Sequence, residues 1–310
     1  AKESRNADFF SNRHRFSSIG SSLIPFSIVF PQTTRTRRAS RVLSMSKRDN
    51  KTDDDDDTNG FTYKDSGVDI DAGAELVRRI AKMAPGIGDF SGRIPFACGA
   101  TPKGFVDYFG CSRLDVDLAE KVIKGINDGC KQAGFELTGG ETAEMPDFYA
   151  KGEYDLVGCA VGQVKKASVI DEKNIVAGDV LIGLPSSGLH SNGYSLVRSG
   201  SKRFFVERST TLVEALMAPT FIYVKQVLDL ISKGGVKGLA HITGGGFTDK
   251  IPRVLPDGLG AVIHTDAWEV PPLFNFIQKY GSVDDSEMRR TLNMGIGMVM
   301  DLMVVVLRQQ

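Results

Sequence analysis

The feature that most limits the fold lies in the second half of the chain. There, residues 179–184 (Asp-Val-Leu-Ile-Gly-Leu) run into Pro-Ser-Ser-Gly-Leu-His-Ser-Asn-Gly-Tyr at 185–194. The apolar run predicts a short buried strand, and residues 194–198 predict the start of a helix. A strand that enters a helix through a loop of Ser, Gly and Asn has the geometry of an anion site. Glycines let backbone N–H groups approach a phosphate, the helix start adds positive potential, and hydroxyls add donors. His190 sits inside this loop, where it could donate to a phosphoryl oxygen or move a proton; the alternative is a solvent-exposed histidine on a polar turn. A second loop of the same kind, Ala-His-Ile-Thr-Gly-Gly-Gly-Phe-Thr at 240–248, favours the anion site.

The 310 residues suit two domains better than one. Lys and Arg total 38 and so do Asp and Glu, a formal net charge of zero, so nucleic acid is not an expected partner. No apolar run has the length needed to span a bilayer, so no membrane is expected either. Cys98, Cys111, Cys130 and Cys159 are widely spaced, which predicts free thiols rather than a zinc site or a disulfide framework.

Residues 1–46 read differently from the rest. Arg5, Arg13, Arg15, Arg35, Arg37, Arg38 and Arg41 stand among serines and threonines against only Glu3 and Asp8, the composition of an organelle import leader; a disordered basic tail is the other reading. The missing initial Met suggests that the leader begins earlier. Residues 47–60, with five aspartates at 53–57, form an acidic linker that repels itself.

The folded body is expected from Phe61. Lys64 and Asp65, followed by Gly67, form either a lid over a nucleotide phosphate or a plain turn before a helix over 71–84 with Asp71 as its N-cap. Residues 86–104 are rich in Gly and Pro and poor in pattern. A strand is predicted at 105–109, and the spacing of Val116, Ala119, Val122, Ile123, Ile126 and Cys130 predicts a helix over 115–133 that stops at Gly134. Next, a strand from Glu136 is expected to turn at Gly139-Gly140 and present Glu141 or Glu144, either to a divalent cation beside a nucleotide phosphate or simply to solvent. Further strands are predicted at 154–164, 261–265 and 294–306, and further helices at 212–232, 251–255 and 271–280. The alternation makes the chain α+β, α/β-like, with domains over 61–166 and 167–310. No P-loop or dinucleotide fingerprint is present.

Five ordered motifs carry a resemblance. They are residues 63–73 (Tyr-Lys-Asp-Ser-Gly-Val-Asp-Ile-Asp-Ala-Gly), 139–146 (Gly-Gly-Glu-Thr-Ala-Glu-Met-Pro), 186–198, 241–247 and 294–300. Together they resemble the aminoimidazole ribonucleotide synthetase, or phosphoribosylformylglycinamidine cyclo-ligase, family of purine biosynthesis in its plant, organelle-targeted form. The resemblance implies a two-domain ATP-binding cyclo-ligase superfamily fold, a homodimer built from N-terminal sheets, and localisation to the chloroplast with the mitochondrion as a second destination. It implies that ATP with Mg²⁺ phosphorylates the formyl amide oxygen of formylglycinamidine ribonucleotide, after which the substrate's own amine displaces phosphate and closes the ring. By motif match, Lys64, Asp65, Gly67, Gly139 and Gly140 would meet ATP and Glu141 the metal. Ser187, Gly188, Ser191, Asn192, Thr243, Gly244, Gly245 and Gly246 would hold the substrate phosphate, with His190 catalytic.

Members of the family also carry a Gly-Thr-Asp-Gly-Val-Gly-Thr-Lys segment, an Asn-Asp-bearing helix and a Gly-Ala-x-Pro turn ahead of the Asp-Tyr-Phe strand. Residues 86–104 stand in their place, so the N-terminal domain is expected to be incomplete. Residues 301–310 depart from the family's continuation and give a shortened end. An active cyclo-ligase and a non-catalytic relative that keeps only the substrate-phosphate loops are both open readings. A small-molecule kinase is a weaker third, disfavoured by the runs at 141–146 and 191–198.

Overall fold

The structure, a computed structural model, describes residues 24–29, 42–46, 61–83, 98–200 and 210–302. Most of the expected leader, the acidic linker over 47–60, the patternless residues 84–97 and the final residues 303–310 lie outside the described residues.

Two sheets organise the chain. The smaller one belongs to the first half: β3 (Thr101–Cys111), α2 (Val116–Ala133) and β4 (Glu136–Glu144) form a parallel β-α-β unit, and β5 (Tyr154–Gln163) pairs antiparallel on the other edge of β3. Helix α2 is well closed at both ends. The Asp115 side chain accepts from Leu118 N at 3.1 Å, and Gly134, at φ 83°, ends it in the left-handed conformation. Strand β3 begins at Thr101, four residues before the predicted start.

The expected turn at Gly139-Gly140 is corrected: both residues lie within β4, level with Val106 and Asp107 of β3. A register shift at Phe105/Val106 absorbs the irregularity, and a side chain at Gly140 would collide with the Asp107 carboxylate. Gly140 thus permits close strand approach, and the pair makes no reversal.

The larger sheet is fully antiparallel in its pairings, with strand order β2-β8-β1-β6-β9-β7. Four strands come from the second half: β6 (Val180–Pro185), β7 (Val236–His241), β8 (Gly260–His264) and β9 (Ile296–Leu302). The other two, β1 (Ile24–Val29) and β2 (Val42–Ser46), come from the segment read as a leader, and β1 runs between β6 and β8. Pro25 pairs opposite Ile182 there, and a proline gives that ladder no N–H donor.

The main core lies against this sheet, with Leu181, Ile242, Phe247, Ile251, Ile263, Phe274, Met288 and Leu292 almost entirely buried. It is packed by α3 (Tyr194–Gly200), α6 (Gly246–Lys250), α7 (Pro272–Gly281) and α8 (Asp285–Thr291), the last with no sequence-based expectation. A second cluster, with Val224, Val227, Leu230, Leu239 and Met300 buried, takes up Ala133 from the end of α2 and joins the two halves.

The helix expected over 212–232 divides into α4 (Thr210–Leu216) and α5 (Val224–Ser232). Pro219 explains the break, because proline removes an amide donor and forces its predecessor out of helical space. Helix α1 (Ile70–Met83) is capped by Asp69, which accepts from Ala72 N at 2.9 Å; Asp71, the expected cap, instead pairs with Arg290 at 2.5 Å.

Candidate anion-binding site

The two glycine-rich loops come together. Asn192 is the stitch: its Oδ1 accepts from Gly244 N at 3.0 Å, while its Nδ2 donates to His190 O at 2.7 Å. Among the described residues, no acceptor meets the N–H groups of Gly188, Leu189, His190 or Ser191 in the first loop, or those of Thr243 and Gly245 in the second. A run of backbone donors around left-handed residues is the arrangement that cups an anion. His190 at φ 53° and Ser191 at φ 61° are both left-handed without being glycine, a strain that surrounding contacts must hold in place. Helix α3 has only seven residues, so its dipole is short and the loop amides supply most of the positive potential.

The alternative of a solvent-exposed His190 is excluded. The residue is buried at 3% exposure, and its Nε2 accepts from Ser187 N at 2.9 Å and from Phe221 N at 3.3 Å. Accepting at Nε2 places the proton on Nδ1, which has no hydrogen-bond partner among the described residues. That side of the ring packs on Gly297, where any Cβ would lie 2.7 Å from Nδ1 and would also strike the Tyr223 hydroxyl. Burial lowers the His190 pKa, so the ring is neutral. A neutral ring with Nε2 so occupied ties the loop to residues 219–223, while its Nδ1–H stays without a partner among the described residues.

The helix break at Pro219 supplies the other side of that tie. Ser187 Oγ donates to Pro219 O at 2.6 Å, and Tyr223 Oη donates to Pro185 O at 2.7 Å. Tyr194 Oη donates to Leu216 O. Ser191 remains exposed, 3.5 Å from the Thr220 hydroxyl. Gly246, at φ 55°, lies so close to Arg289 O that no side chain fits.

Some groups around the loops had no place in the sequence-based site. His241, at the end of β7, is driven to a pKa of about 4 by burial, with smaller contributions from His190 and Lys250. Burial, and then Arg253, also lowers the Lys250 pKa. Asn293 binds the first loop from beneath. Only the histidine's place in the motif at 241–247 could have flagged any of them.

The residues expected for nucleotide and metal do not gather. Lys64 pairs with Asp69 at 3.1 Å, and Asp65 accepts from Thr62 N at 2.9 Å and Thr62 Oγ1 at 2.7 Å, so residues 62–67 form a self-contained turn. Phe61 and Tyr63 anchor this turn on the second-half core, and Tyr63 N donates to Glu287 Oε1 at 2.8 Å. Gly139, Gly140 and Glu141 are exposed on β4 in the other sheet. Glu144 accepts from Leu114 N at 2.5 Å. No group of three or more His, Cys, Asp or Glu side chains suited to a metal occurs among the described residues. Cys111 and Cys130 are buried and Cys159 is exposed.

Comparison with known proteins gives two family matches. Residues 95–164 match AIR synthase related protein, N-terminal domain, and residues 176–300 match AIR synthase related protein, C-terminal domain. Phosphoribosylformylglycinamidine cyclo-ligase, chloroplastic, of Arabidopsis thaliana is 63% identical over 337 residues, covering 93% of this chain and 86% of the relative. The chloroplastic/mitochondrial protein of the same name from Vigna unguiculata is 56% identical, covering 86% of this chain and 78% of the relative. A Burkholderia pseudomallei protein of that name is 44% identical, covering 78% and 86%. The Arabidopsis match runs over 337 positions, more than the 310 residues of this chain, so that relative carries residues inside the match that are missing here.

Proposed function

The chain belongs to the phosphoribosylformylglycinamidine cyclo-ligase family of AIR synthase related proteins, and from that membership we propose how its own residues serve the reaction. It is an ATP-dependent ring-closing ligase of purine biosynthesis, and it is a chloroplast protein. No observation favours the non-catalytic reading or the small-molecule kinase.

The phosphate of formylglycinamidine ribonucleotide binds at the joined loops, on the amides of Gly188, Leu189, His190 and Ser191 and of Thr243 and Gly245. The Asn192–Gly244 hydrogen bond carries this reading, because it fixes two remote glycine-rich segments as one donor array. Fixed donors cost no reorganisation when they meet a charged group, and they hold the substrate's amine and formyl amide in one geometry for ring closure. Ser187, Asn192, Gly244 and Gly246 shape the array through their own hydrogen bonds and close packing. His190 positions the first loop through Nε2.

ATP and Mg²⁺ belong to the three-stranded unit, where Gly139, Gly140 and Glu141 are the groups of this chain open to them. Glu141 alone does not make a Mg²⁺ site, which needs further oxygens in octahedral array, so no step is assigned to the metal. Lys64, Asp65 and Gly67 lie on the turn that packs on the other unit. Residues 1–46 carry the composition of an import leader, although 24–29 and 42–46 pair within the six-stranded sheet, and the exposed three-stranded sheet is where a second copy docks.

Ser191→Asp tests the substrate site. The side chain is exposed, so the fold is spared while a negative charge enters the array. Substrate KM should rise at least about tenfold with the ATP KM unchanged. An unchanged substrate KM would remove the loops from the site.

A further inference from the structure

We infer that Asn293 is a positioning residue for substrate, holding the Gly188–Leu189 peptide so that the Leu189 N–H points into the donor array. This rests on the reading of the joined loops as the phosphate site, and nothing in the family's motifs quoted above includes the residue.

Asn293 lies between α8 and β9, at 2% exposure. Three bonds fix its side-chain amide, two to the first loop and one to its own turn. Nδ2 donates to Gly188 O at 2.8 Å; Oδ1 accepts from Ser186 Oγ at 2.9 Å and from Gly295 N at 2.9 Å. The donors and acceptors on either side fix which end of the amide is nitrogen. The residue itself cannot shift. Its own carbonyl accepts from Ile296 N at 2.9 Å, Met294 and Gly295 follow at φ 49° and 96°, and Trp268 Nε1 holds Met294 O at 3.0 Å. Ser186 N also donates to Gly295 O at 2.8 Å, so the loop's first residue is clamped to the same turn.

The consequence follows from peptide geometry. The described chain has no cis bond, and in a trans peptide C=O and N–H point in opposite directions. Drawing Gly188 O inward onto Asn293 therefore turns the Leu189 N–H outward, and that N–H has no acceptor among the described residues.

The experiment follows backbone amide resonances of the full chain while inorganic phosphate is added. In the native protein, Leu189, His190 and Ser191 amides should all shift with one affinity. In Asn293→Ser, whose hydroxyl is too short to span to Gly188, the Leu189 shift should be lost or reduced severalfold. The Asn293→Ser enzyme should show a substrate KM raised about tenfold with the ATP KM within about twofold. If His190 and Ser191 respond in the native protein but Leu189 does not, the role of Asn293 is overturned and the phosphate site stands. If none of the three responds, the phosphate site itself is wrong. Should Asn293→Ser fail to fold, the native titration still decides the point. Substrate and ATP KM rising together would mark a structural role only.

Discussion

The two sheets differ in how completely they are covered. In β9 of the six-stranded sheet every residue but the last is buried, and Phe247, Phe274 and Met288 beside it are at 0% exposure. In β5 of the three-stranded sheet, Leu156, Val157 and Val161 are 43%, 56% and 55% exposed, and Val106 of β3 is 41% exposed. Helix α1, amphipathic by pattern, likewise leaves Leu76 and Met83 at 56% and 73%. Apolar surface of this extent on strands and a helix marks faces built to be covered by something else. The unit that holds the two joined glycine-rich loops is closed; the three-stranded unit is open. Exposed edges and faces also invite non-specific pairing.

The contrast can be broken most sharply by cavity formation. Phe247→Ala should cost about 3–5 kcal/mol in chemical denaturation, because a fully enclosed ring leaves a cavity that cannot collapse. Equal costs for Phe247→Ala and Val157→Ala would end the distinction between closed and open units.

The closed unit should also penalise a polar group it fails to pair. Asp301 is 1% exposed, neither carboxylate oxygen has a partner among the described residues, and its pKa is pushed up to about 7. Burial is the main cause, the Asp179 carboxylate adds to it, and Lys237 opposes it; Glu172 lies across Gly238 from the group. A folded pKa above the ordinary 3.8 means that stability is intact below about pH 4 and is lost as pH rises toward and through 7. Asp301→Asn should therefore be more stable than the native chain at pH 8, by on the order of 2 kcal/mol, with the gap closing at pH 4. Thermal unfolding at the two pH values reads this directly, and a gap independent of pH would refute it.

The open unit makes a different demand. Restoring at residues 86–104 the family segments expected there should cover the three-stranded sheet. Binding of a hydrophobic dye should fall and ATP turnover should rise about tenfold or more, roughly 1.4 kcal/mol in the barrier. Turnover unchanged by the insertion would show that the sheet is already complete. The smallest effect belongs to Val157→Ala, within about 0.5 kcal/mol in the monomer, because the side chain is more than half exposed. A clearly larger loss that depends on protein concentration would identify the face where a second copy docks.

The sequence by itself determined the alternating α+β architecture, the family, and most element positions wherever local chemistry was decisive. Asp115 and Gly134 bracket α2 because a carboxylate caps amide donors and glycine accepts left-handed backbone. The strand at 180–185 and the pair of glycine-rich loops were legible for the same reason: apolar runs and glycine clusters act over a few residues. Four features were decided only by tertiary structure. The Gly139-Gly140 pair lies within a strand because β4 pairs with β3 there, where Asp107, thirty-odd residues away in sequence, leaves no room for a side chain at Gly140. Lys64 and Asp65 pair with their own neighbours Asp69 and Thr62, in a turn that packs beside Glu287. His190 reads as a reactive loop histidine, yet Phe221 and Gly297 enclose it. Asn293 carries no local signal at all, because its partners at Ser186 and Gly188 lie more than one hundred positions away. Propensity and pattern report a residue's own stretch of backbone; which donors remain unpaired, and which side chain turns them outward, is fixed only when distant segments pack together.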